Sequence, residues 1–189
     1  ILHHVFSSEK DTSDRVYSTS KAIINQHKLK LEEFLSKIGN KLQLKNFPAH
    51  AEVRIDEKGK IVPIEINPLR FGGWCTTADL SGVAVGINTY KYYFENTYPN
   101  WDTIFKGKEN KIFSIIVLDN ASGIKPNDIS KFDFEALAND FENPILIREL
   151  DIKKYPLFGF VFTETDFDNK KELYDILSSD LKKYISIKK

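Results

Sequence analysis

The stretch that decides the fold runs Phe47-Pro48-Ala49-His50-Ala51-Glu52-Val53-Arg54-Ile55-Asp56, then Glu57-Lys58-Gly59-Lys60, then Ile61-Val62-Pro63-Ile64-Glu65-Ile66-Asn67-Pro68-Leu69-Arg70-Phe71-Gly72-Gly73. Two runs that alternate apolar with polar residues, joined by a short glycine-containing link, read as a β-hairpin. With the turn centred between Lys58 and Gly59, Asp56 faces Ile61, Glu52 faces Glu65 and His50 faces Asn67. Side chains alternate across a strand, so Ala51, Val53 and Ile55 share one face with Val62, Ile64 and Ile66. His50, Glu52 and Arg54 share the other with Glu65 and Asn67. A bulge at Gly59 would shift the pairing by one and take Glu52 out of its place opposite Glu65; the matched apolar faces argue against that shift.

The polar face carries the chemistry. Two carboxylates directly opposite on adjacent strands have Cβ atoms about 4.5–5.5 Å apart, which is destabilising unless a proton or a cation lies between them. Magnesium resolves that conflict: it takes oxygen ligands, commonly one or two carboxylates together with substrate phosphates, and Asn67 adds a neutral oxygen two residues beyond Glu65. Alternation alone equally describes an ordinary hairpin with a solvated polar side.

The surroundings read as an α+β chain. Residues 14–19 form a short strand, and Leu31, Phe34, Leu35, Ile38 and Leu42 recur with helical spacing as a core stripe. A single helix is expected over about 77–94. Tyr98-Pro99-Asn100 and the polar run 106–111 mark a boundary, beyond which strands over 112–118, 145–150 and 157–162 precede a closing helix over about 170–185. The expected domains are therefore 1–98 and an additional α+β subdomain over 110–189, whose role the residues do not disclose.

The longer string resembles the ATP-grasp superfamily, specifically over Pro48 to Gly73 and more weakly back to Tyr17. The resemblance implies an antiparallel sheet with helices packed on one side, the family's carboxy-terminal lobe, followed here by the added small subdomain. It further implies Glu52, Glu65 and Asn67 as ligands of two magnesium ions, with manganese able to replace them. Arg70 then contacts phosphate or an acyl phosphate, and His50 touches the transferred phosphate where many members have arginine. Arg15, Gly72 and Gly73 are candidates for holding the nucleotide. The implied activity is ATP-dependent ligation: a small-molecule carboxylate is activated as an acyl phosphate and attacked by an amine or another nucleophile. The family's amino-terminal lobe, which carries phosphate-binding lysines and adenine contacts, is not evident, and the chain begins at Ile1 and holds no methionine. A fragment with half of its site, binding ATP weakly or not at all by itself, is the expectation. The competing reading is a non-catalytic binding module in which the hairpin is structural.

Other features carry blander readings. His3 and His4 near Asp11 and Asp14 lack any metal-ligand spacing. Arg15 and Tyr17 line the nucleotide cleft or form an exposed edge, Gly72 and Gly73 approach phosphate or simply turn the chain, and Asp79 reaches substrate or complements a helix dipole. Cys75 reads as a buried small hydrophobe, Tyr90 to Phe94 as core, and the lysine pairs at 182–183 and 188–189 as solvated. In 189 residues the formal net charge is zero with both signs interspersed, which gives no footprint for nucleic acid. One cysteine excludes an internal disulfide and suits a reducing, cytoplasmic setting. No apolar run reaches bilayer length and no signal peptide opens the chain, so no membrane partner is expected. A homodimer is compatible with this composition.

Overall fold

The computed structural model describes residues 1–4 and 15–188; Asp11 and Asp14 lie outside them. The chain divides into two compact units, residues 22–106 with Ile1, and residues 2–21 with 107–189. The division at 1–98 and 110–189 stays a proposal about domains; as a compact unit, the first strand goes with residues 107–189.

The first unit contains α1 (Lys21–Lys41, which begins at the boundary), the hairpin strands β2 (Ala49–Ile55) and β3 (Ile61–Pro68), and three short helices, α2 (Thr76–Val85), α3 (Thr89–Glu95) and α4 (Trp101–Ile104). Lys28–Glu32 and Lys37–Glu33 ion pairs support α1 at one-turn spacing. None of its residues is buried, and Leu35 and Leu42 are 41 % and 62 % exposed, so the expected stripe is amphipathic without being core. The single helix expected over 77–94 is two helices. Gly86 ends α2 in the left-handed conformation, with its N–H on Gly82 O and the Ile87 N–H on Ser81 O. Asn88 then starts α3 by accepting the Lys91 N–H at 3.0 Å. Tyr90 and Phe94, read as core, are 39 % and 79 % exposed.

The second unit is built on an antiparallel sheet in the order β1-β4-β7-β6, from β1 (Val16–Thr19), β4 (Lys111–Asp119), β6 (Pro144–Glu149) and β7 (Leu157–Asp166). Its two central strands are near-continuous apolar runs because both of their faces are buried. Val16, Ile112, Ile116, Leu118 and Val161 face the main core with α6 (Lys171–Ser178), while Phe113, Ile115, Phe160 and Phe162 are buried on the other face. Glu172 of α6 is buried and satisfied: its carboxylate accepts the Glu142 N–H at 2.7 Å and the hydroxyls of Thr163 and Thr165 on β7. The closing helix expected to residue 185 stops at Ser178, and a 3-10 turn leads into β8 (Ile185–Ile187). β8 pairs with β5 (Ile129–Phe132), which precedes α5 (Phe134–Ala138); none of the three elements is evident in the sequence pattern. The whole is α+β, with the four-stranded antiparallel sheet as its largest element. No helix among the described residues is long and apolar enough to cross a membrane.

Candidate functional site

The hairpin turn is tighter than its sequence suggests. Asp56 and Lys60 close a three-residue loop, with the Asp56 N–H on Lys60 O and the Gly59 N–H on Asp56 O. The Asp56 carboxylate accepts the N–H groups of Lys58 and Lys60, and Gly59 takes a left-handed φ of 77°. Near the turn this shifts the pairing by one: Ile55, not Asp56, faces Ile61, and Arg54 faces Val62. Val62 therefore lies on the polar face, a correction to the expected apolar set. A bulge opposite Glu52 and Val53 then inserts Ile64 as an extra residue in β3 and restores the expected register beyond it. Glu52 faces Glu65 and His50 faces Asn67.

After β3 the chain turns at Leu69. The Leu69 N–H donates to Pro48 O at 2.8 Å, and Leu69 itself has a positive φ of 59°. The Arg70 guanidinium returns over the polar face, with Nη2 3.6 Å from Glu65 Oε1 and 3.4 Å from His50 Nδ1. His50 Nδ1 lies 3.8 Å from Glu52 Oε1, and the Asn67 amide donates to Glu65 Oε1 at 2.5 Å. Five side chains from about twenty residues of sequence thus form one chain of contacts, Glu52–His50–Arg70–Glu65–Asn67. It is open to solvent: Glu52, Glu65 and Arg70 are 43–48 % exposed, and His50 is 25 % exposed.

The oxygen-rich donor set suits magnesium in type, since two carboxylates and an amide leave positions for water and phosphate. Among the described residues no group of three or more His, Cys, Asp and Glu side chains is gathered to hold a metal ion. As the face stands, Glu65 is turned onto the Asn67 N–H and toward Arg70.

The remaining candidates make other contacts. Arg15 is 6 % exposed in the second unit, where Nη1 donates to the carbonyls of Ile176, Leu177 and Ser179 at 3.0, 3.3 and 2.8 Å, and Nη2 meets Asp119 at 3.3 Å. Its guanidinium caps the end of α6, whose last carbonyls have no partners within the helix. Gly72 has a φ of 86°, and an added Cβ would stand 2.2 Å from the Thr77 hydroxyl, so the turn into α2 requires glycine there. Gly73 O accepts the Thr76 hydroxyl. Cys75, expected buried, is exposed; its sulfur lies 3.7 Å from the Tyr90 hydroxyl. That contact, with a smaller contribution from burial, pushes the Tyr90 phenol above its ordinary range. What sequence reasoning missed at the hairpin is the role of Leu69 and the direct contacts of Asn67 and Arg70 with Glu65. Only the Asn67-Pro68-Leu69-Arg70 turn hinted at them.

The hairpin face thus gathers two opposed carboxylates, an amide and an arginine. Residues 1–78 match the family model described as an ATP-grasp domain, a segment that spans β1, α1, β2, β3 and the start of α2 and contains every residue of the hairpin face. Over these residues the chain is similar to the ATP-grasp superfamily, whose domains bind ATP generally. No curated protein and no solved structure matches the chain. Residues 79–189 lie outside the family match.

Proposed function

We propose that the β2–β3 face is the metal-holding side of an ATP-grasp ligase site, in which Glu52, Glu65 and Asn67 would hold magnesium that neutralises charge on the phosphates of ATP. The observation that carries this reading is the register. Glu52 stands opposite Glu65, with His50 opposite Asn67 beside them, inside the segment that matches the ATP-grasp model. When bound, two magnesium ions supply charge neutralisation for the phosphates, and manganese serves in their place.

The chain's own residues do the rest of the positioning. Arg70, with a planar fork of donors, holds phosphoryl oxygens as negative charge builds on them. His50, 3.4 Å from Arg70, donates a hydrogen bond to the same oxygens from its free ring nitrogen or adds charge when protonated. Glu52 and Glu65 keep the cation against the sheet. Gly72 and Gly73, at the turn into α2, offer backbone N–H groups to the nucleotide in this reading. Arg15 receives no nucleotide contact in this reading, because its guanidinium is committed to α6. The reaction is activation of a small-molecule carboxylate as an acyl phosphate, followed by attack of an amine or another nucleophile.

The test is magnesium-dependent ATP binding by the complete protein, followed by titration calorimetry. Glu65→Ala should weaken it by at least about tenfold, as loss of groups around a metal does. Binding unchanged in that variant would overturn the proposal and leave the hairpin as a structural part of a non-catalytic module.

A further inference from the structure

We infer that Arg70 is a built-in counter-cation: it rests between Glu65 and His50 until a metal–phosphate complex displaces it, and so makes the face favour cation with phosphate over cation alone. The inference rests on the reading above that this face takes a divalent cation.

The hairpin holds an electrostatic conflict. Glu52 and Glu65 are directly opposed, and like charges in that position repel. Positive charge reaches them from just past the strands: Leu69 takes a left-handed φ of 59°, and Arg70 Nη2 stands 3.6 Å from Glu65 Oε1. Its other neighbour is His50 Nδ1 at 3.4 Å, which itself lies 3.8 Å from Glu52 Oε1. The guanidinium therefore serves Glu65 directly, and the His50 nitrogen it meets is the one that faces Glu52. Asn67 completes the resting state by donating its amide N–H to the same Glu65 oxygen. For Glu65 to ligate a cation, Asn67 must turn its amide to present oxygen, and Arg70 must leave.

The contact is loose enough for that exchange. Both partners are more than two-fifths exposed, and an exposed ion pair shifts an equilibrium by at most about fivefold. A cation arriving alone must displace Arg70 into water. A cation arriving with phosphate gives the guanidinium a new anionic partner, so the displacement carries little penalty. Metal and phosphate thus bind cooperatively through one side chain that has two mutually exclusive positions.

The experiment uses the complete protein at 0.15 M ionic strength, about that of cells, and follows Mn2+ by electron paramagnetic resonance, with and without ATP. Arg70→Ala should bind Mn2+ alone more tightly than wild type, by up to about fivefold, and bind Mn2+–ATP more weakly. Arg54→Ala removes the same charge from the same hairpin face and should move the Mn2+-alone affinity by less than half as much on a logarithmic scale. Unchanged or weaker binding of Mn2+ alone in Arg70→Ala would overturn the inference. So would an equal gain in Arg54→Ala, because the effect would then be the general field of the face. These results leave the metal-site reading intact as long as Glu65→Ala weakens Mn2+–ATP binding by at least about tenfold. Failure of wild type to bind Mn2+ under either condition removes both.

Discussion

Replacing Arg15 by methionine removes a buried cation while keeping most of its volume, and its cost follows from the contacts of one guanidinium. The carbonyls of Leu177 and Ser179 lose the guanidinium as donor, Ile176 O keeps only the Ser179 N–H, and Asp119 loses its ion-pair partner. A buried acceptor left without a donor costs about 1–3 kcal/mol, and a cation at a helix C-terminus is worth up to about 2 kcal/mol. These contributions overlap, and breaking a buried pair by removing one partner costs about 3–5 kcal/mol in total. The Asp119 side chain is 37 % exposed and can rehydrate, which favours the lower end, about 3–4 kcal/mol. That is a large share of the roughly 5–15 kcal/mol available to a folded domain, and at about 2–4 °C per kcal/mol it lowers Tm by about 6–16 °C. Urea unfolding followed by circular dichroism reads the change. Arg15→Lys should recover part of it, since lysine keeps the charge and loses the fork. A methionine variant within about 1 kcal/mol of wild type would refute the capping role. Loss of ATP binding by the complete protein without loss of stability would restore Arg15 as a nucleotide contact.

Gly72→Ala should be destabilising by about 2–4 kcal/mol, from the left-handed φ of 86° together with forced displacement of Thr77; thermal unfolding checks it, and a change below about 0.5 kcal/mol would mean that the turn rearranges freely. Acid should weaken the second unit through Asp140, whose carboxyl is held below its ordinary range first by its hydrogen bond to Lys183 and then by that to Tyr184. Because the folded value lies below the unfolded one, this stability is present above the usual carboxylate pKa and is lost as pH falls through the folded value. The pair is half exposed, so its contribution is under about 1 kcal/mol. In Asp140→Asn the stability difference from wild type should shrink below about pH 4, and a difference that stays constant down to pH 2 would exclude the assignment.

The hairpin face was legible in the sequence for a reason that is partly fortuitous. Pairing centred between Lys58 and Gly59 places Glu52 opposite Glu65, yet the real turn is one residue out of step at Ile55 and Ile61, and only the bulge at Ile64 brings the strands back. Alternation reports which residues share a face; it does not report an inserted residue whose apolar side chain fits either pattern. The α1 stripe shows the same limit, because periodicity marks an apolar side without saying what covers it. Gly86 and Asn88 carried the signal for two helices, a left-handed cap followed by an N-cap, but an apolar stretch on either side of them masked it. β1 was legible as a strand, whereas its partner β4 lies almost a hundred residues away and no local pattern encodes that pairing. β5, α5 and β8 are short, and tertiary contacts rather than propensity decide them.

The central claim is that the polar face of the β2–β3 hairpin holds a divalent cation with its nucleotide. Paramagnetic broadening of backbone amide signals in the complete protein, on adding Mn2+ with ATP, tests it most directly. The strongest broadening should fall on residues 50–54 and 65–70, and Glu65→Ala should abolish it. Broadening that spares the hairpin, or that persists there in Glu65→Ala, would contradict the account.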